Sequence, residues 1–220
     1  MVEVGVGFGV LTKYLVDKKN IDFYVIEIDD RLVEWIENQF PSLRNKIIHR
    51  DILKVDFKKH FENPFAIIGN FPYQISTQII FKILENRELI PEMVGMFQKE
   101  VAVRIAADHG NKQYGITSVL VQAYYDVDYL FEVDSEKFNP PPKVQSAVIR
   151  LRRKENNNLP VQYDELRVVV KTAFNQRRKT LRNALKPLLK DQVLDEAILQ
   201  KRAEQLSVED FILLTQKFYE

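Results

Sequence analysis

Residues 2–15, "VEVGVGFGVLTKYL", set the reading of everything downstream. A short apolar strand runs into Gly5, Gly7 and Gly9, and apolar residues then recur at helical spacing. Glycine lets a backbone turn sharply and approach a ligand closely, and open α/β sheets bind ligands at the carboxyl ends of their strands. The spacing is G-x-G-x-G, not the G-x-G-x-x-G of a dinucleotide fold. Two readings therefore stand for this loop: part of a cofactor site, or a tight strand-to-helix turn.

The same alternation repeats along the chain. "IDFYVIEID" reads as a second strand, followed by helical "RLVEWIENQF" with Leu32, Trp35, Ile36 and Phe40 on one stripe. "KIIHRD" and "PFAIIGN" read as further strands, and "STQIIFKILENR" as a helix with Ser76 or Thr77 as its N-cap. Strand "EMVGMFQ" and helical "KEVAVRIAAD" come next. Strands separated by helices imply crossover connections and a mainly parallel sheet. "VDYLFEV" and "SAVIRLRR" have only the proline-bearing "DSEKFNPPPKVQ" between them, which suits an antiparallel edge. "KENNNLP" reads as a linker, and the chain beyond it as helices. The expected architecture is an α/β domain over 1–153, with a mostly parallel sheet and an antiparallel edge, and a small all-α domain over 160–220.

Composition narrows the chemistry. The 220 residues are 45% hydrophobic and 29% charged, with a net charge of +1 and no cysteine. No run approaches the roughly 20 apolar residues of a membrane span. Without cysteine there are no disulfides, thiolate metal sites or cysteine nucleophile, which suits a reducing cytoplasm. His49, His60 and His109 are scattered, so no metal centre is expected. The start shows no secretory leader pattern. Charge is uneven: Arg167 to Lys190 holds eight Lys/Arg and no Asp or Glu. Such a stripe is either a footprint for a polyanion or a solvated helix face.

Three further groups fall at strand ends. Glu27, closing the second strand, can accept both hydroxyl hydrogens of a ribose. Asp29 and Asp30 precede a helix and read as N-terminal caps. Asp51, after the third strand, can accept from an adenine amino group while the Ile52 N–H donates to a ring nitrogen. Each carboxylate alone is weak, but with the glycine loop they form an adenosine-binding set. Asn70-Phe71-Pro72-Tyr73 follows the fourth strand: an amide, two aromatics and a proline, a poor packing unit at the end of a buried strand.

Taken together, these segments resemble the KsgA-type ribosomal RNA adenine dimethyltransferases, relatives of the Erm antibiotic-resistance methyltransferases. "EVGVGFGVLT", "VIEID", "RDIL" and "GNFPYQIST" resemble the family's successive motifs, and "FQKEVAVRI" a following helix. "YGITSVLVQAYY" and "FNPPPKVQSAVIRL" match its late sheet, and "AFNQRRKTLRN" its basic C-terminal helix. The resemblance implies a Rossmann-like methyltransferase sheet and methyl transfer from S-adenosyl-L-methionine to the N6 amines of two adjacent adenines. The target would be the 3′ end of small-subunit rRNA in the immature 30S subunit. It also implies cofactor contacts from Glu3, Gly5, Gly7, Gly9, Glu27, Ile28, Asp51, Ile52 and Asn70.

An exocyclic adenine amine is a poor nucleophile because its lone pair is delocalised into the ring. The Asn70 side-chain oxygen and a carbonyl near Phe71 or Pro72 can accept its two N–H bonds and favour a pyramidal nitrogen. Pro72 lacks an N–H and stiffens the turn. Catalysis is then mainly positioning and electrostatics. Tyr73 would stack on the flipped base, with Phe138 as the second face. Phe71 either contacts the cofactor or packs.

On a continuous helix, Arg178 and Arg182, Lys179 and Asn183, and Arg182 and Lys186 are i,i+4 neighbours. With Arg177 they would grip phosphates without reading sequence. Two departures, Val6 where relatives usually carry Pro and Gln145 where Asp is frequent, leave the proposed chemistry untouched. The family also carries a segment with a Q-[HN]-F-L motif before the first strand, to which nothing here corresponds. This 220-residue form is accordingly expected to fold, to bind the cofactor weakly and to methylate poorly, as a monomer. Two other readings stay open: an Erm-like large-subunit methyltransferase, and an RNA-binding assembly factor with little or no methylation.

Overall fold

The computed structural model describes residues 1–138, 141–156, 158–189 and 195–219. Seven strands form one sheet: β1 (Val2–Val4), β2 (Tyr24–Glu27), β3 (Ile47–His49), β4 (Ile67–Asn70), β5 (Glu92–Gln98), β6 (Tyr125–Val133) and β7 (Ser146–Arg153). Their spatial order is β3-β2-β1-β4-β5-β7-β6. Strands β3, β2, β1, β4 and β5 pair in parallel, and β7 runs antiparallel to β5. The order reverses direction beside β1, which pairs with both β2 and β4, and a reversal of this kind opens a crevice at the strand ends. The expected mostly parallel sheet with an antiparallel edge is thus the one observed.

The helices are α1 (Thr12–Leu15), α2 (Asp30–Gln39), α3 (Phe57–His60), α4 (Ser76–Glu85), α5 (Lys99–Ala106), α6 (Ile116–Gln122), α7 (Tyr163–Asn175), α8 (Leu181–Ala184), α9 (Glu196–Leu199) and α10 (Val208–Tyr219). The chain groups into two compact units, 1–99 with 128–153 and 100–127 with 154–220. Helices α5 and α6 therefore belong with the C-terminal helices by their packing. In the first unit, Val6, Phe23, Val25, Ile36 and Leu43 form a buried cluster, with Trp35 and Phe40 of the α2 stripe packed against it.

Local signals explain some of the elements. Asp29 caps α2 by accepting the Arg31 N–H at 2.9 Å, and Asp30 lies in the first turn, where its charge suits the helix dipole. Two expectations fail. Neither Ser76 nor Thr77 caps α4: the cap position is Ile75, and the Ser76 hydroxyl donates back to the Tyr73 carbonyl at 3.1 Å. Within "YGITSVLVQAYY", only Tyr125 enters the sheet, at the start of β6, and residues 116–122 form helix α6. Its β-branched residues favour strands only where a pleated surface is available. Here Thr117 to Val121 are all buried, and Ser118 accepts the Gly115 N–H and donates to the Arg104 carbonyl, which closes the helix start.

Among the described residues no helix is long and apolar enough to cross a membrane, and no group of three or more His, Cys, Asp or Glu could hold a metal ion.

Candidate active site

The carboxyl ends of four neighbouring parallel strands open on one cavity of about 220 Å³. Val4 and Gly5 come from the end of β1 and residues 26–28 from β2; residues 50–53 follow β3, and Pro72 and Ile75 follow β4. Of the residues singled out by sequence, Gly5, Glu27, Ile28, Asp51, Ile52 and Pro72 line it. Val4, Ile26, Arg50, Leu53 and Ile75 line it too and were not foreseen. Ile75 lies three residues beyond Pro72, a signal within reach of the sequence; the others are ordinary strand-end neighbours.

Both cavity carboxylates are held by backbone. Glu27, buried, accepts the Ile28 N–H at 2.7 Å and the Asp29 N–H at 3.1 Å on the same oxygen, Oε1. Asp51 Oδ1 accepts the Leu53 N–H at 2.9 Å and caps a short 3₁₀ turn over Ile52–Lys54. In each case the second oxygen takes no part in these bonds. The remaining wall is largely aliphatic, from Ile28, Ile52, Pro72 and Ile75. An apolar slot edged by two carboxylates suits a ligand with apolar faces and polar edges.

The glycine loop is held left-handed at all three positions, with φ of +72° at Gly5, +53° at Gly7 and +68° at Gly9. The Gly5 N–H donates to the Ile26 carbonyl at 2.9 Å, which ties the loop to β2. Gly7 faces open space, whereas a Cβ on Gly9 would lie 2.8 Å from the Phe40 ring and 3.2 Å from Trp35. Gly9 thus serves the seating of the loop on α2. Glu3 lies beneath the loop, 1% exposed, and accepts from the Thr12 hydroxyl at 2.8 Å. Burial pushes its carboxyl up to about 7; the Thr12 bond offsets part of this and the Glu27 charge adds to it.

The motif after β4 divides its labour. Asn70 is exposed at the strand end. The Phe71 ring is 2% exposed and meets Phe97 edge-on, with centroids 5.2 Å apart, so its side chain packs and does not line the cavity. Gly69 and Gly95 pair across β4 and β5, and a Cβ on either would come within 2.7 Å or 2.2 Å of that ring. The Pro72 carbonyl accepts the Ile75 N–H at 3.1 Å. The Tyr73 carbonyl accepts from Ser76, and the Tyr73 hydroxyl lies 2.6 Å from Ser146 Oγ. Phe138 is half-buried in the loop between β6 and β7, its N–H donating to the Ser135 carbonyl at 3.1 Å.

The basic stretch departs from expectation. Helix α7 ends at Asn175, and residues 176–179 form a turn closed by a Lys179 N–H to Gln176 carbonyl bond of 2.7 Å. The i,i+4 ladder over Arg178, Lys179, Arg182 and Lys186 therefore does not exist: only Arg182 is in a helix, the single turn of α8, and Thr180 in extended conformation starts it. At the break, Arg177 donates to the Asn111 and Lys112 carbonyls, partners distant in sequence. Arg182 pairs with Glu196. Arg178, Lys179 and Lys186 are exposed, and Lys190 lies outside the described residues.

The sheet order, glycine loop and strand-end carboxylates define the class I methyltransferase fold. A family model for ribosomal RNA adenine dimethylase matches residues 1–219. The chain is 56% identical over 219 residues to "Ribosomal RNA small subunit methyltransferase A" of Flavobacterium johnsoniae, covering 99% of this chain and 84% of that protein. It is 54% identical over 216 residues to the protein of the same name from Cytophaga hutchinsonii, covering 98% and 84%. Among solved structures, a dimethyladenosine transferase from Plasmodium falciparum superposes with a TM-score of 0.82 at 27% identity, over 99% of this chain and 89% of that one. The 23S rRNA methyltransferase ErmE shares the fold, with a TM-score of 0.67 at 24% identity over 100% and 90%. The chain belongs to the ribosomal RNA adenine dimethylase family.

Proposed function

We propose that this protein transfers methyl groups from S-adenosyl-L-methionine to the N6 amines of two adjacent adenines near the 3′ end of small-subunit rRNA, during maturation of that subunit. The reading rests on family membership and on one observation above all. Pro72, at the centre of the amine-binding motif, is itself a wall of the cavity that holds Glu27 and Asp51, and a Cβ on Gly5 would lie only 3.8 Å from it. The loop that would hold the cofactor and the motif that would hold the amine are thus neighbours.

When bound, the cofactor supplies an electrophilic sulfonium methyl. The rest falls to the chain. Glu27 takes the ribose hydroxyls, and Asp51 with the Ile52 N–H takes the adenine edge. Asn70 and the Phe71 carbonyl accept the two target N–H bonds. Phe71 is preferred to Pro72 for the second acceptor because the Pro72 carbonyl is already spent on Ile75. Glu3, Gly7 and Gly9 shape the loop around the methionine end. Tyr73 and Phe138 stack on the target base, which helps offset the few kcal/mol of unstacking. Arg177 braces the helical unit, while Arg178, Lys179, Arg182 and Lys186 serve the rRNA phosphates. The domain over 160–220 is read as the RNA-binding part of a monomeric, cytoplasmic enzyme.

The test incubates the protein with unmodified small subunits and, separately, with large subunits, each with labelled S-adenosyl-L-methionine, and maps the label by mass spectrometry. Dimethylation of two adjacent adenines is expected, and Asn70→Ala should lower the rate roughly 100-fold or more, as loss of a directed polar contact does. Label in large-subunit rRNA would favour the Erm-like reading. Subunit binding with no label from the native chain would favour an assembly role.

A further inference from the structure

We propose that Ser146 is a positioning residue for methyl transfer, its buried hydroxyl holding the Tyr73 phenol and so fixing the place of the ring on which the target adenine stacks. The inference rests on the reading of Tyr73 as that platform.

Ser146 and Tyr73 are 73 residues apart in sequence, and their oxygens are 2.6 Å apart in the fold. Ser146 is 0% exposed, while Tyr73 is half-buried. A hydroxyl with no access to water needs a partner inside the protein, and the phenol is that partner. Ser146 is also unusually well held for a residue at a strand start. It is the first residue of β7 and pairs across the sheet with Gln98. On the preceding residue, the Gln145 carbonyl accepts the Lys99 N–H at 2.9 Å, and the Lys99 ammonium reaches Gln145 Oε1 at 3.0 Å and Glu132 at 2.7 Å. The anchor therefore belongs to the sheet, not to a loop.

Tyr73 stands in a turn, where the backbone alone constrains its ring poorly. A tyrosine side chain has two torsions; the phenol oxygen lies on the axis of the second, so a tether on it fixes the first and with it the place of the ring, while packing limits the second. If the ring only filled space, phenylalanine would serve as well. A stacking platform must instead stand at a set place, because small misplacement of a bound amine costs rate steeply.

The experiment is a double-mutant cycle of Ser146→Ala, Tyr73→Phe and the pair, read on unmodified small subunits. Each single change should lower kcat about 10-fold, the worth of one buried hydrogen bond, and the pair should lose no more than either single. Cofactor affinity should stay within about 2-fold by titration calorimetry, since the bond lies outside the cavity. Ser146→Thr, which keeps the hydroxyl, should recover most of kcat. In RNA carrying 2-aminopurine at the target, both single variants should show altered quenching of the flipped base. Native kcat in Tyr73→Phe, or losses that multiply in the pair, would overturn the proposal. If Ser146→Ala fails to fold, Tyr73→Phe decides alone by kcat and quenching. Tyr73→Ala separates the two levels: native methylation there would sink the platform reading itself. An inactive Tyr73→Ala beside native Tyr73→Phe would sink only the role of Ser146.

Discussion

Single residues carry sharply different constraints in the glycine loop although they look alike in sequence. Gly7 and Gly9 both have positive φ, which costs an alanine roughly 1–2 kcal/mol. Only Gly9 also faces rings at 2.8 and 3.2 Å. Gly9→Ala should therefore lower unfolding stability in urea by about 1–3 kcal/mol more than Gly7→Ala, the cost of overpacking. Equal losses would contradict the seating role. Glu3 makes a second prediction. Its carboxyl stands at about 7 in the fold, raised from 4.5, so the folded state holds a proton that the unfolded chain releases. Its contribution is fully present below about pH 4.5 and is lost as pH rises through about 7, on the order of 3 kcal/mol. Glu3→Gln should flatten that part of the stability profile and leave the variant more stable than the native chain above neutrality. A slope identical in both would refute it.

At the scale of elements, the motif after β4 depends on two strands. Gly69 and Gly95 face each other across β4 and β5 and leave a flat seat for the Phe71 ring, which sets the path of the turn through Pro72 and Tyr73. Gly95→Ala would put a Cβ 2.2 Å from that ring, so the ring must move. Stability should fall by about 1–3 kcal/mol, as small-to-large core changes do, and methylation should fall with it. Phe71→Leu, which shortens the ring side, should restore much of both when combined with Gly95→Ala. No recovery in the pair would show that the strand, not the ring, is what Gly95 protects. Helix α6 gives the converse lesson. Its β-branched run invites a strand reading, yet burial of residues 117–121 on one element and the Ser118 hydroxyl bonds make it helical.

For the whole molecule, the basic stretch of residues 167–190 sorts by fold into braces and exposed cations. Arg177 is spent on the carbonyls of Asn111 and Lys112, while Arg182 pairs with Glu196 but stays exposed. Arg178 and Lys179 remain exposed. Arg178→Ala and Lys179→Ala should each weaken small-subunit binding and reduce the salt slope by about one, with cofactor affinity unchanged. Arg177→Ala should instead lower thermal stability. If Arg177→Ala moves the salt slope while Arg178→Ala does not, the sorting is wrong.

The sheet and half of the cavity were legible in the chain itself. Alternating strands and helices dictate a parallel sheet because crossovers leave no other pairing, and chain order then puts Gly5, Glu27 and Asp51 at successive strand ends. What the linear pattern could not carry were contacts between distant residues. The Ser146 hydroxyl against Tyr73, the paired glycines beneath Phe71 and the inward turn of Arg177 all depend on which strands and helices lie side by side. Chain order was enough for the parallel sheet and for which residues stand at its strand ends. How the Tyr73 ring is held and where Arg177 finds its acceptors required the folded arrangement, because those partners lie far away along the chain.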